Sequence, residues 1–422
     1  MKGGAVQSLS ICSKRRQGFY EFTDYSIAIP SIEEMYENSH YRTLMELAQN
    51  FEEKVLVNLI CTKLFDDPFY MDGEKICIRR QEDVAYAFFA PIMTAFLLWI
   101  LQVIYREKFD EVLFSSRDGY LVYKLYSKMC RKWDLDLPKG IYFYTSRKLA
   151  MLSGFPDEKK LEWLARLPYT GKPEQVMSDM FRLEKKYIMP YQEEEYKTLP
   201  DYILAHREAI CRKQKETREN YLNYMEKVGL EIKKKYAFVD FVSSGTVLNF
   251  LNTFIPYQFR GTYLCKYGKN EWENVPKAFS MMDYLSTDPN EKYSCFYKHY
   301  IIMETVVTSQ EPSVVDMTVK GEPIFGEELR DQKELRYVKR MQKSMTDFFE
   351  AFLDICSTRW RQKQDSEIKI KVSVSVPRSC FLDQIYSMID EKYTIINNSY
   401  LKNLKIHQDL GFQEISAWEI RK

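Results

Sequence analysis

The chain has 422 residues, too many for one ordinary core, so two or three domains or subdomains are expected. Charged residues make up 29% of it but nearly cancel, leaving a formal charge of +1, which excludes the electrostatic footprint of a duplex nucleic-acid binder or an anionic-membrane binder. With 31 Tyr and 26 Phe against 15 Gly and 15 Pro, the composition is that of a compact, aromatic-rich globular protein.

Residues 1–83 read as a mostly helical region, with amphipathic spacing at Leu47, Phe51, Val55, Leu56 and Leu59. The N-terminus is basic and polar and lacks the apolar stretch of a signal peptide. Val84 to Tyr105 carries no charge over 22 residues. Pro91, Thr94 and Gln102 interrupt it and basic residues flank it on both sides, so a buried helix is expected and not a membrane span. A strand at 111–115, a turn and a helix to about 130 follow, and then a second strand, "GIYFYTSRK" (140–148). From about 157 to 235 the chain is charged and helix-rich, with Glu193-Glu194-Glu195 and Pro190 and Pro200. It reads as a helical insertion, either a lid or a solvated subdomain.

The buried-strand pattern returns at Tyr236 with "YAFVDFVSSGTVLNFLNTF", and "GTYLCKY" (261–267) makes a further strand. A strong helix is expected from about 327 to 358, and "IKIKVSVSV" (368–376) alternates as a half-exposed edge strand. The implied organisation is a helical region to 83, an α/β core over 84–325 with the insertion inside it, and a helix–strand region over 326–422. Strand–helix–strand, insertion, strand–helix–strand predicts an α/β fold with a Rossmann-like parallel sheet.

Nine cysteines lie scattered at 12, 61, 77, 130, 211, 265, 295, 356 and 380, none within four residues of another, so no zinc-ribbon or redox spacing exists. They read as reduced thiols in a cytoplasmic protein. The four histidines (40, 206, 299, 407) are dispersed, and no metal site is expected.

Chemistry concentrates in three strand-end turns. The first is "SSRDG", Ser115, Ser116, Arg117, Asp118 and Gly119. The second is Ser146, Arg147 and Lys148. The third is "SSGT", Ser243, Ser244, Gly245 and Thr246, with Asp240 upstream on the strand. Small residues let an anion approach the backbone at a helix start, hydroxyls add donors, and Arg117 offers a bidentate contact to a phosphate. In open parallel sheets ligands sit at this edge. Ser, Thr and Asp are also ordinary helix caps, a reading that stays open for Asp118. The turns match neither a Walker A loop nor a dinucleotide fingerprint.

Two resemblances add to this. The blocks "AYAFFAPIMTAFLLWILQ", "DEVLFSSRDGYLVYKLY", "IYFYTSRKLAML", "FVDFVSSGT", "GTYLCKY" and "METVVTSQEPSVV", over about 84–325, resemble predicted haloacid-dehalogenase-superfamily proteins found with bacterial surface-polysaccharide glycosyltransferases. The D-x-D-x-T stretch of their phosphatase-like domain is absent. The order of the turns is similar to type I phosphoribosyltransferases, which implies a phosphoribosyltransferase-like core. On that resemblance Asp240 matches the second acid of the ribose-binding loop, and Ser243, Ser244 and Gly245 its phosphate cradle. Val239 and Val247 depart from the pattern.

The expected function is binding, with transfer or cleavage, of a phosphorylated sugar or sugar-nucleotide, Asp240 and Asp118 being the candidate catalytic residues. One alternative is a magnesium-dependent phosphohydrolase with Asp240 as nucleophile, although Val242 stands where its second acid belongs. The other is a non-catalytic partner of glycosyltransferases, docking through aromatic-rich helices.

Overall fold

The computed structural model describes residues 46–65, 71–133, 137–267, 278–284 and 303–361 apart from isolated positions, with short pieces between 376 and 396. The helices are α1 (Phe51–Phe65), α2 (Gln81–Glu107), α3 (Tyr120–Trp133), α4 (Arg147–Gly154), α5 (Glu158–Ala165), α6 (Pro173–Asp179), α7 (Leu199–Ala205), α8 (Arg207–Lys227), α9 (Thr246–Leu251) and α10 (Gln332–Arg361). The strands are β1 (Met71–Asp72), β2 (Lys75–Ile78), β3 (Glu111–Ser115), β4 (Lys139–Phe143), β5 (Lys235–Ser243), β6 (Gln258–Tyr267), β7 (Phe279–Tyr284), β8 (Val314–Met317), β9 (Pro323–Phe325) and β10 (Thr394–Ile396). They fall into two compact units. Among the described residues one comprises 46–98 and 339–396, the other 99–284 and 303–338, so the boundaries lie inside α2 and α10.

In the first unit β2 pairs antiparallel with β1 and parallel with β10. Within the stretch to residue 83 that was expected to be mostly helical, β1 and β2 are short strands, and the β10 partner of β2 is more than 300 residues away. Glu53, fully buried on α1, is ion-paired with Arg378 at 3.0 Å, which compensates the burial of its charge. The apolar helix α2 is long and apolar enough to cross a membrane, yet 89% of its most apolar window is buried in protein. The edge strand expected at 368–376 falls almost wholly outside the described residues.

The second unit is α/β, built on a five-stranded, all-parallel sheet of order β4-β3-β5-β6-β7. Every residue of β3 is buried, as a central strand covered on both faces requires. On one face Phe114 packs against Tyr123 and Tyr126 of α3. On the other, Phe143 packs against Tyr221 and Tyr224 of α8 and against Phe238 and Phe259 of the sheet.

This corrects the view of 157–235 as a lid or solvated insertion. Its last helix, α8, belongs to the crossover from β4 to β5, and it buries Ile210, Tyr221, Tyr224 and Met225. The Tyr224 hydroxyl accepts the Tyr144 N–H at 2.7 Å, and the Tyr221 hydroxyl donates to the Tyr144 carbonyl at 3.1 Å. The chain runs from β3 outward to β4, returns past β3 to β5, and continues to β6 and β7. Its direction of winding therefore reverses between β3 and β5. Ligands of open parallel sheets bind at such a point, beyond the carboxyl ends of the strands.

Candidate functional site at the strand switch point

Ser115 ends β3, and Asp240 lies near the end of the adjacent β5. The Ser115 hydroxyl donates to Asp240 Oδ1 at 2.8 Å, and the Phe241 N–H donates to the same oxygen at 2.9 Å. The turn after Ser115 is tightly built. The N–H of Ser116 goes to the Phe143 carbonyl, that of Arg117 to the Tyr142 hydroxyl, that of Asp118 to the Ser116 carbonyl, that of Gly119 to the Ser115 carbonyl, and that of Tyr120 to the Arg117 carbonyl. No backbone donor from 116 to 120 is left for a ligand, so a phosphate cradle of main-chain amides does not form there. Gly119 is required for close approach: a Cβ on it would lie 2.5 Å from the Ser115 carbonyl oxygen. Arg117 adopts φ of 69°, the left-handed region that a non-glycine residue enters at a cost of about 1–2 kcal/mol. The Tyr142 hydroxyl at 3.0 Å and the Ser309 N–H on its carbonyl at 3.1 Å hold it there.

The turn places Asp118 close enough to Asp240 for its charge to be felt there. Burial first, and then the Asp118 charge, push the Asp240 carboxyl up to about 6, against the hydrogen bonds from Ser115 and Phe241 and the charge of Arg147. Burial likewise raises Asp118, opposed by the charges of Arg117, Arg147 and Arg330. Tyr263, opposite Asp240 on β6, is 1% exposed, and burial, with the Asp240 charge, raises its phenol. Burial and the neighbouring carboxyl thus both favour the protonated form of Asp240. The charges of three guanidiniums reach Asp118, and that of Arg147 reaches Asp240 as well. Among the described residues no three His, Cys, Asp or Glu side chains come together as a metal site.

The other predicted residues are placed as follows. The Ser116 hydroxyl ties the first turn to the second, donating to the Thr145 carbonyl at 2.5 Å and accepting the Thr145 N–H at 3.0 Å. Ser146 caps α4, accepting the Leu149 N–H at 3.0 Å, because the helix begins at Arg147, where the strand was expected to continue. Arg147 reaches the acid pair electrostatically, whereas Lys148 lines a crevice with Met151, Leu152 and Phe155. In the third turn Ser243 accepts the Gly245 N–H at 3.1 Å, Ser244 and Thr246 bond each other at 2.8 Å, and Gly245 takes φ of 86°. The helix it opens, α9, has only six residues.

The sequence reading missed the segment that closes over the first turn. Ser313 accepts from an Arg117 Nη at 2.5 Å. Arg330 is held bidentately by Glu328, at 2.8 and 2.7 Å, and donates to the carbonyls of Ser309 (2.7 Å) and Glu311 (3.0 Å). Nothing in "TSQEPS" or "GEELRDQ" marks these residues as partners of a turn about 200 residues earlier. A scan of protein-family models and a comparison with curated proteins return no match.

Proposed function

We propose that the α/β unit binds a phosphorylated sugar or sugar-nucleotide at the β3/β5 switch point. Arg117 and Arg147 hold the phosphate, and Asp240 takes the sugar hydroxyls. The observation that carries this reading is a set of donors without acceptors. Arg117 Nε and Gln310 Nε2 are both buried, and neither has a hydrogen-bond partner among the described residues. Ser309, the residue before Gln310, is bonded to the Arg117 carbonyl, so the two donors lie in one neighbourhood. Buried polar groups in folded proteins are otherwise almost always bonded, and an acceptor-rich ligand is what these donors lack. A carboxyl poised at about 6 both accepts from and donates to hydroxyls near neutrality. On the resemblance alone, such a ligand would belong to surface-polysaccharide metabolism and be bound in a phosphoribosyltransferase-like mode.

A thermal-shift series with sugar 1-phosphates, sugar-nucleotides, phosphoribosyl pyrophosphate and the parent sugars tests the reading. A true ligand at 100 times its dissociation constant adds about 2.7 kcal/mol, while the unphosphorylated sugars leave the transition unmoved. If none of the phosphorylated compounds moves it either, the reading fails.

One observation favours a second reading, a phosphohydrolase. Asp118, whose charge reaches Asp240, would take the role of the carboxylate that the sequence lacks at Val242. In that chemistry an Asp240 oxygen attacks phosphorus, the sugar oxygen leaves with a proton from Asp118, and water then cleaves the aspartyl phosphate. Magnesium-dependent release of phosphate, abolished by Asp240→Asn, is the result that would select it.

A further inference from the structure

The donors at the switch point are themselves closed off. Arg117 Nε and Gln310 Nε2 are both buried. A ligand oxygen reaches neither unless part of the structure moves. Gln310 lies in a strap, residues 308–313, that joins a helical stretch at 303–307 to β8. Both ends are anchored: Met303, Val306 and Val307 are fully buried, and so is every residue of β8. Between them Gln310, Pro312 and Ser313 are half-buried and Glu311 is exposed, so the strap can lift while exposing little apolar surface.

Polar bonds hold the strap down. At its start the Ser309 N–H donates to the Arg117 carbonyl at 3.1 Å. At its end the Ser313 hydroxyl accepts from an Arg117 Nη at 2.5 Å, and the Gly326 N–H donates to the Ser313 carbonyl at 2.8 Å. In the middle Arg330 takes the two carbonyls on either side of Gln310, that of Ser309 at 2.7 Å and that of Glu311 at 3.0 Å. Glu328 grips the same guanidinium at 2.8 and 2.7 Å. Arg330 thus spends its donors on the protein and serves as a clamp, whereas Arg117 keeps one unspent. The closed strap also helps to hold Arg117 at its unfavourable φ of 69°, which lifting would release.

We infer that residues 308–313 are a gate over the switch point, latched by Arg330 and Glu328. The strap lifts to admit a phosphorylated ligand and closes on it, and Gln310 Nε2 and Arg117 Nε then gain their acceptors. The inference rests on the reading of the site given above and adds how access to that site is controlled.

The test is amide hydrogen exchange of the full chain, comparing peptides over 309–313 with peptides over β3, in the parent, Arg330→Gln and the milder Glu328→Gln. The compound added is a sugar 1-phosphate, a sugar-nucleotide or phosphoribosyl pyrophosphate, whichever raises the melting temperature most. In the parent the strap should exchange faster than β3, through local opening. Each variant should speed exchange in the strap by about tenfold or more and leave β3 unchanged. At ten times its dissociation constant the compound should slow exchange in the parent's strap by about tenfold. In stopped-flow mixing the observed binding rate should reach a ceiling set by opening, and the ceiling should be higher in the variants. If a compound binds but the strap exchanges as slowly as β3 in all three proteins, or its exchange ignores the compound, or the ceiling is the same in the variants, the gate is wrong and the reading of the site stands. If none of the phosphorylated compounds binds, that reading fails and the gate falls with it.

Discussion

Replacing Asp240 with Asn should make the protein more stable at neutral pH and change its pH dependence. The carboxyl is raised from its ordinary 3.8 to about 6 in the folded chain, chiefly by burial and then by Asp118. A carboxyl raised on folding carries no penalty below its unfolded pKa. Stability is lost as pH rises through the folded value, because the unfolded chain releases the proton first. A difference of this size is worth about 3 kcal/mol once both states are ionised. At about pH 4.5 only about 1 kcal/mol of it has developed, so about 2 kcal/mol separates that condition from pH 8. Asparagine keeps an oxygen to accept from Ser115 and Phe241 and has no charge to lose. The stability of Asp240→Asn relative to the parent should therefore rise by about 2 kcal/mol between these two conditions. Urea unfolding of both proteins at each pH, followed by tryptophan fluorescence, measures the difference. An increment that is flat with pH, or larger on the acid side, would refute the argument that burial and Asp118 hold this proton.

Gly119→Ala should cost about 3 kcal/mol, since its Cβ would sit 2.5 Å from a backbone oxygen that cannot move without opening the turn; a melting temperature equal to the parent's would contradict the described turn. Ser146→Ala should cost about 1 kcal/mol through loss of the α4 cap and leave affinity for phosphorylated sugars unchanged, which calorimetry checks directly. The buried helix α2 should let the chain be purified without detergent; recovery only in a membrane fraction resistant to carbonate washing would count against its burial in protein.

The parallel sheet was legible because β3 and β5 are short apolar runs that stop at small polar residues, a pattern carried wholly by local sequence. Helix α8 was misjudged for the opposite reason. Most of its 21 residues are polar, and its inward face is carried largely by Tyr221 and Tyr224, whose hydroxyls disguise buried rings. The short strands at 71–72 and 75–78 were not singled out within the mostly helical stretch, because the ladder from β2 to β10 is a long-range fact. Within the site, Ser115, Arg117, Asp118, Arg147 and Asp240 converge as strand-end residues. Arg147 and Lys148 could not be told apart until the start of α4 was fixed at 147. The contribution of Ser309, Ser313 and Arg330 depends on a fold-back that leaves no mark in a polar segment.

The central claim, that guanidiniums at the switch point hold a phosphate, is tested most directly by calorimetric titration of the parent protein and Arg117→Ala with one phosphorylated sugar and its unphosphorylated counterpart. The account predicts that Arg117→Ala weakens binding of the phosphorylated compound by about thirtyfold or more, about 2 kcal/mol, with the unfolding transition preserved. Equal affinity of the two proteins for the phosphorylated sugar would contradict it.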